Sequence, residues 1–193
     1  MKQEQLASAR AELTLRVARA QAGGREALDR LLRDHQEPLY RHIRTITRDG
    51  ETAFDALQNS LLLIARRLAG LRDPRWFKAW AYRIATREAV RLAKRETHIH
   101  DLREAAAIDW VEMPPPEPAF DPTVLRACVD RLADLPPACQ IVLRLHYLEE
   151  MTFVEISEAL EIPLGTVKSR LAYGLGRLRQ LMDETAGGAN PSA

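Results

Sequence analysis

Aliphatic residues recur at intervals of three and four along the 193 residues, while strict alternation and turn-bounded β-branched clusters are almost absent, so the pattern predicts an all-α protein. Gln3 to Ala20 reads as a first helix, stopped by Gly23-Gly24. A second runs from Arg25 towards His35, and Pro38 is expected to reopen a helix that ends at Asp49-Gly50. The stretch 52-TAFDALQNSLLLIARR-67 starts a third, with Thr52 as its cap and an end near Ala69. Gly70 and Asp73-Pro74 break the chain, and Pro74 opens a long helix to about Glu96.

The pattern then changes. Residues 98–122 carry Pro114, Pro115, Pro116, Pro118 and Pro122 among acids, which suits an extended, exposed linker with Trp110 and Phe120 as apolar anchors. Helical periodicity resumes near Pro122. The expected division is therefore an N-terminal helix over 1–24, a helical domain over 25–97, the linker, a second helical domain over 123–185 and a frayed tail over 186–193. In the second domain Thr152 and Glu155 make a capping box, the helix behind them ends near Leu160, and Pro163 helps to reopen the chain. Two helices joined by about three residues have helix-turn-helix spacing. Val154, Ile156, Leu160, Ile162, Val167 and Leu171 are placed to close the corner, leaving Thr166, Lys168, Ser169, Arg170, Ala172 and Tyr173 around the exposed start of the second helix. A bare corner is read equally well as an αα-hairpin with solvated cations.

Charge sharpens the division. The formal net charge of +1 hides seven cations against Glu88 in residues 75–95, and six acids against Arg103 in residues 97–122. No stretch has the apolar core of a signal peptide or the ~18 apolar residues of a membrane span, so a cytoplasmic protein without membrane insertion is expected. Cys128 and Cys139 lack CxxC spacing; with His98 and His100 they fall short of any structural-zinc pattern, and buried thiols are the better reading. No nucleophile-base pairing, phosphate-binding loop or metal spacing points to an enzyme, and neither cofactor nor metal is expected.

The run 135-LPPACQIVLRLHYLEEMTFVEISEALEIPLGTVKSRLAYGLGRLRQLM-182 resembles region four of bacterial sigma factors of the extracytoplasmic-function subfamily. Phe153, Glu155 and Ile156 stand in its first helix, and Gly165 to Leu171 match without interruption. The resemblance implies a helix that reads the minus-thirty-five promoter element, with Thr166, Lys168, Ser169, Ala172 and Tyr173 near bases or backbone and Arg170 and Arg177 nearer phosphate. Glu161 stands where the family has a turn glycine, and Gly174 and Gly176 would each cost a helix interior about 1 kcal/mol relative to Ala.

The segment 77-FKAWAYRIATREAVRLAKR-95 resembles region two of the same family, which opens the minus-ten element and captures an unpaired base with the loop before this helix, here 70-GLRDPRWF-77. Phe77, Trp80 and Tyr82 are aromatics of the stacking type, although Trp80 is better read as core; Arg75, Trp76, Lys78, Arg83, Arg87, Arg91 and Lys94 are the expected minus-ten contacts. The same alignment makes the helix from Thr52 the surface for core RNA polymerase, at the β′ clamp helices, with the β flap as a further contact. Asp55, Leu57, Gln58 and Asn59 are its candidate residues, and Thr52, Phe54 and Asn59 stand where acids are usual. That deficit suggests weak docking, restored by phosphate on Thr52 or Ser60 from a Ser/Thr kinase, in place of or beside an anti-sigma factor. The linker is expected to thread the polymerase's nucleic-acid channel. A helix-turn-helix regulator that is no polymerase subunit is the competing reading.

Overall fold

The computed structural model describes residues 2–47, 49–94 and 129–187; the linker, Trp110, Phe120, Cys128, His98 and His100 lie outside them. Every regular element among the described residues is helical. They form two units, one built on the helices before residue 95 and one on those after residue 128.

The first unit comprises α1 (Lys2–Gln21), α2 (Arg25–Thr47), α3 (Gly50–Arg67) and α4 (Phe77–Ala93), with short 3-10 turns at Leu68–Gly70 and Pro74–Trp76. Leu31, Leu39, Ile43, Ala56, Leu57, Ile64, Phe77 and Tyr82 form its centre. The buried alanines of α4, at 79, 81, 85, 89 and 93, keep its packed face shallow. The N-terminal helix belongs to this core: Val17 and Ala20 are buried, and Arg16 pairs with Asp34 of α2.

Three expected boundaries are corrected. α2 runs unbroken through Pro38, because the buried stripe Leu31, His35, Leu39, Ile43 and Ile46 continues across it. The carbonyl that loses its partner, four residues earlier, belongs to exposed Asp34, where water can take the place of the missing donor. The cap of α3 is Asp49, not Thr52: the Asp49 carboxylate accepts from the Thr52 amide at 2.7 Å. Backbone and hydroxyl bonds from Thr52 hold that carboxyl below its usual range. α4 likewise starts at Phe77, since Asp73 caps the preceding turn and Pro74 sits at its first position.

The second unit begins with a 3-10 turn at Val129–Asp134, followed by α5 (Pro137–Leu143), a π turn at Arg144–Leu148, α6 (Phe153–Leu160) and α7 (Leu164–Gly187). α7 extends through Ala186 and Gly187, two residues into the expected tail. Leu132, Cys139, Val142, Leu143, Leu145, Met151, Ile156, Val167, Leu171 and Leu178 make the core. The capping box forms in both directions: Thr152 N donates to Glu155 at 2.7 Å, and Glu155 N to the Thr152 hydroxyl at 3.2 Å.

Glu161, at φ +55°, occupies the left-handed conformation that ends α6. The Ile162 amide bonds back to the Ser157 carbonyl at 3.2 Å, and the Ser157 hydroxyl donates to the Ile162 carbonyl at 2.7 Å. This is a Schellman end with Glu in the glycine position. The two glycines of α7 have different meanings. A Cβ on Gly174 would meet Leu143 Cδ1 at 2.8 Å and Cys139 Cβ at 3.2 Å, whereas one on Gly176 would meet nothing within 4 Å. Gly174→Ala is therefore expected to destabilise the unit by about 1–3 kcal/mol through overpacking, and Gly176→Ala to stabilise it by up to about 1 kcal/mol. Thermal melts of the two variants check this; equal shifts would contradict the packing.

Candidate nucleic-acid interface

On α7 the positions 167, 171, 174 and 178 recur at four, three and four, and all are buried. The opposite face is therefore Ser169, Ala172, Tyr173 and Gly176, none of which carries a charge at neutral pH. Exposed Lys168 and Arg179 flank this neutral strip on one side, with half-buried Thr166 and exposed Arg177 on the other. A strip of small and hydroxyl-bearing side chains between two cationic edges is the arrangement a helix needs to meet base edges while its rims meet phosphates. Near the start of α7 the Ser169 hydroxyl donates to the Thr166 carbonyl at 3.1 Å.

Two sequence expectations change here. Arg170 does not sit with Lys168: between Val167 and Gly174 on the helix surface, it lies along the packed edge near Cys139, and burial lowers its pKa. Val154 does not close the corner; it is 52% exposed, while Ile156 is buried as expected and Ala159 joins it in the core. Cys139 is buried, and desolvation raises its thiol to about 11, so it is an unreactive packing residue.

In the first unit the loop between α3 and α4 carries the polar candidates. Arg75 is committed to Asp73, donating from Nε at 3.0 Å and from Nη2 at 2.7 Å, so its guanidinium braces the loop. Trp76, 39% exposed, is the aromatic available for stacking. Phe77 and Tyr82 are not, because both are core residues in T-shaped contact with buried histidines, Phe77 with His35 and Tyr82 with His42. Trp80 is half-buried, its ring 6.2 Å from that of Phe77. Lys78 and Arg83 are half-buried, and Arg87, Arg91 and Lys94 are exposed along α4. Arg91 is held by Glu88 at 2.6 Å.

The third surface is the outer side of α3. Asp55, Gln58 and Asn59 are exposed, while Leu57 is buried and is not available to a partner. Its place is taken by Phe54 and Leu62, 51% and 49% exposed at either end of the polar group. From the sequence Phe54 stands where an acid is usual, with compensating contacts from Phe54 and Asn59 as the alternative to a phosphate switch, and Leu62 is not singled out. Thr52 and Ser60 are on the other side. Both are buried, and the Ser60 hydroxyl donates to the Ala56 carbonyl at 2.6 Å. Neither is presented to a kinase in this fold, because Thr52 lies four residues before the core residue Ala56, and Ser60 four residues after Ala56 and four before Ile64.

Comparison with known protein families matches both units. Sigma-70 region 2 matches residues 31–99, and Sigma-70 region 4 matches residues 131–180. The chain belongs to the sigma-70 family. Its relatives place it in the extracytoplasmic-function group. It is 28% identical over 159 residues to the sigma factor SigE of Mycolicibacterium smegmatis, covering 80% of this chain and 61% of that one. It is 26% identical over 179 residues to SigW of Bacillus subtilis, covering 87% and 96%. The solved structure of CnrH in complex with the cytosolic domain of CnrY has the same fold, with a TM-score of 0.59 at 20% identity over 89% of this chain and 97% of that one. As a sigma factor the protein is a transcription initiation factor and not an enzyme; it binds core RNA polymerase and promoter DNA. No described helix is long and apolar enough to cross a membrane.

Proposed function

We propose that α7 lies in the major groove of the minus-thirty-five element, that the loop before α4 and the outer cations of α4 hold the opened minus-ten strand, and that α3 docks on the polymerase clamp. The neutral strip of α7 between cationic edges carries the reading of the upstream element. The exposed position of Trp76 supports the second part, and the Phe54 to Leu62 stripe the third.

Docking through that stripe rests on apolar contact more than on charge, because Asp55 is its one acid between two exposed hydrophobic anchors. Anchors of this kind carry most of an interface's energy, while charges mainly set encounter rate. Control by a protein that covers the stripe fits this surface better than control by phosphate, since the stripe is exposed and both candidate hydroxyls, Thr52 and Ser60, are buried; the structural relative CnrH was solved in complex with the cytosolic domain of CnrY.

Run-off transcription from core polymerase plus this protein tests the function, with promoter-specific transcripts expected. Phe54→Ala and Leu62→Ala are each expected to weaken core binding roughly 10- to 30-fold, as loss of a hot-spot residue does, and raising salt is expected to change the affinity little. Steep salt dependence with no effect of Phe54→Ala would refute the apolar docking.

A further inference from the structure

Gln21, the last residue of α1, has a part-buried side chain that spans to the loop between α3 and α4. Its amide nitrogen donates to the Leu68 carbonyl at 2.9 Å and to the Leu71 carbonyl at 2.7 Å. Two carbonyl acceptors on one nitrogen fix the amide's orientation, since its oxygen would repel both. Beyond this clamp the loop is bound to itself. Leu71 N donates to Leu68 O at 3.0 Å, Trp76 N to Asp73 O at 3.0 Å, and the Asp73 carboxylate takes the Arg75 amide and guanidinium. The far end is anchored by Phe77, which is 1% exposed. Trp76 therefore stands on a segment held at its start by α1, in its middle by Asp73 and at its end by the core.

We propose that Gln21 is a positioning residue for promoter opening: its amide fixes the loop so that the exposed Trp76 ring meets the unpaired strand in a conformation that need not be ordered on binding. The proposal rests on reading this loop as the minus-ten contact. An ordered loop binds more tightly than the same loop left to be ordered on contact, so freeing the start of the loop weakens capture without touching the surface of α3. It also makes α1, which carries none of the expected DNA contacts, part of the opening machinery.

The test uses holoenzyme reconstituted from core polymerase and the full chain. The probe is a promoter fragment that gives a run-off transcript with the unsubstituted protein, made with a mismatched bubble over its minus-ten element. Gln21→Met keeps the side chain's length and removes both donors. It is expected to lower affinity for the bubble roughly tenfold, with core affinity unchanged and the thermal midpoint lowered only by the several degrees that two part-buried hydrogen bonds are worth. Gln21→Asn, too short to reach both carbonyls, is expected to do the same and serves if the Met variant folds poorly. In a Trp76→Ala background the Gln21→Met loss is expected to shrink below about twofold, because a clamp that acts through Trp76 has nothing left to position. A loss from Trp76→Ala but none from either Gln21 variant would overturn the proposal alone, as would an undiminished Gln21→Met loss in the Trp76→Ala background. Bubble binding unaffected by Trp76→Ala would overturn the reading of the loop, and the proposal with it.

Discussion

Ser60→Asp is expected to destabilise the first unit severely rather than to activate it. Ser60 is fully buried on the inner side of α3, one helical turn from Ala56 and from Ile64, and its hydroxyl already donates to the Ala56 carbonyl at 2.6 Å. A carboxylate there would face that carbonyl oxygen and lose its water, a penalty of about 3–5 kcal/mol for an uncompensated buried charge. A domain of this size has roughly 5–10 kcal/mol of stability in all, so the thermal midpoint should fall by roughly 15 °C or more. Ser60→Ala loses one hydrogen bond and should stay within about 1 kcal/mol of the unsubstituted protein. Thr52→Asp should also destabilise, because a second carboxylate would stand beside that of Asp49. The measurement is tryptophan fluorescence during thermal or urea unfolding in a Trp110→Phe background, where Trp76 and Trp80 both report on the first unit. A Ser60→Asp protein that melts with the parent and transcribes more would reinstate the phosphate switch.

That reversal shows where sequence reading reached its limit. The all-α class, the capping box at Thr152 and Glu155 and the helix-turn-helix spacing follow from local chemistry, in which each residue's partners lie within a few positions. The face of α3 does not. Thr52, Leu57 and Ser60 share a helix with Phe54, Asp55 and Leu62, and composition favours the hydroxyls as the outer set and the aromatic as the inner. Tertiary packing decides the reverse, because α2 and α4 cover the side that carries Ala53, Ala56 and Ile64. A signal was present: Asp49 three residues before Thr52 is a cap pattern that moves the helix start and puts Thr52 inside. Pro38 misled for the opposite reason, since a local rule for breaking helices was outweighed by a continuous buried stripe on both sides of it. The contact from Gln21 to Leu68 and Leu71 has no sequence signal, because it joins positions about fifty residues apart. The aromatics at the start of α4 divide in the same way: Trp76 outside, at the end of the preceding turn, and Phe77 inside follow from the turn that Asp73 caps, not from ring chemistry.

Acidification is expected to destabilise the first unit well above the range in which carboxylates titrate, and His42 is the main cause. His42 is buried on α2, its Nε2 2.8 Å from the Thr86 hydroxyl oxygen and its ring 5.1 Å from that of Tyr82. The Thr86 hydroxyl gives its one hydrogen to the Tyr82 carbonyl at 2.8 Å, so it accepts from His42, which must be the neutral tautomer protonated at Nε2. A second proton would charge a ring sealed from water, and burial lowers the pKa from 6.5 to about 3. The folded value lies below the unfolded one, so below 6.5 the unfolded chain binds a proton that the folded chain refuses. The contribution is whole above about pH 6.5 and is lost as pH falls towards 3, amounting to about 2 kcal/mol by about pH 5. His35 acts in the same direction, burial outweighing the bond between its Nδ1 and the Leu31 carbonyl. Asp49 and Asp73, whose carboxyls are held below their usual range, contribute only at lower pH. His42→Gln keeps a donor near Thr86 and removes the titration, so it should be less stable than the parent at about pH 7.5 and lose markedly less between about pH 6.5 and 5. Urea unfolding followed through Trp76 and Trp80 across that range measures both slopes, and parallel slopes would show that His42 is not the group being titrated.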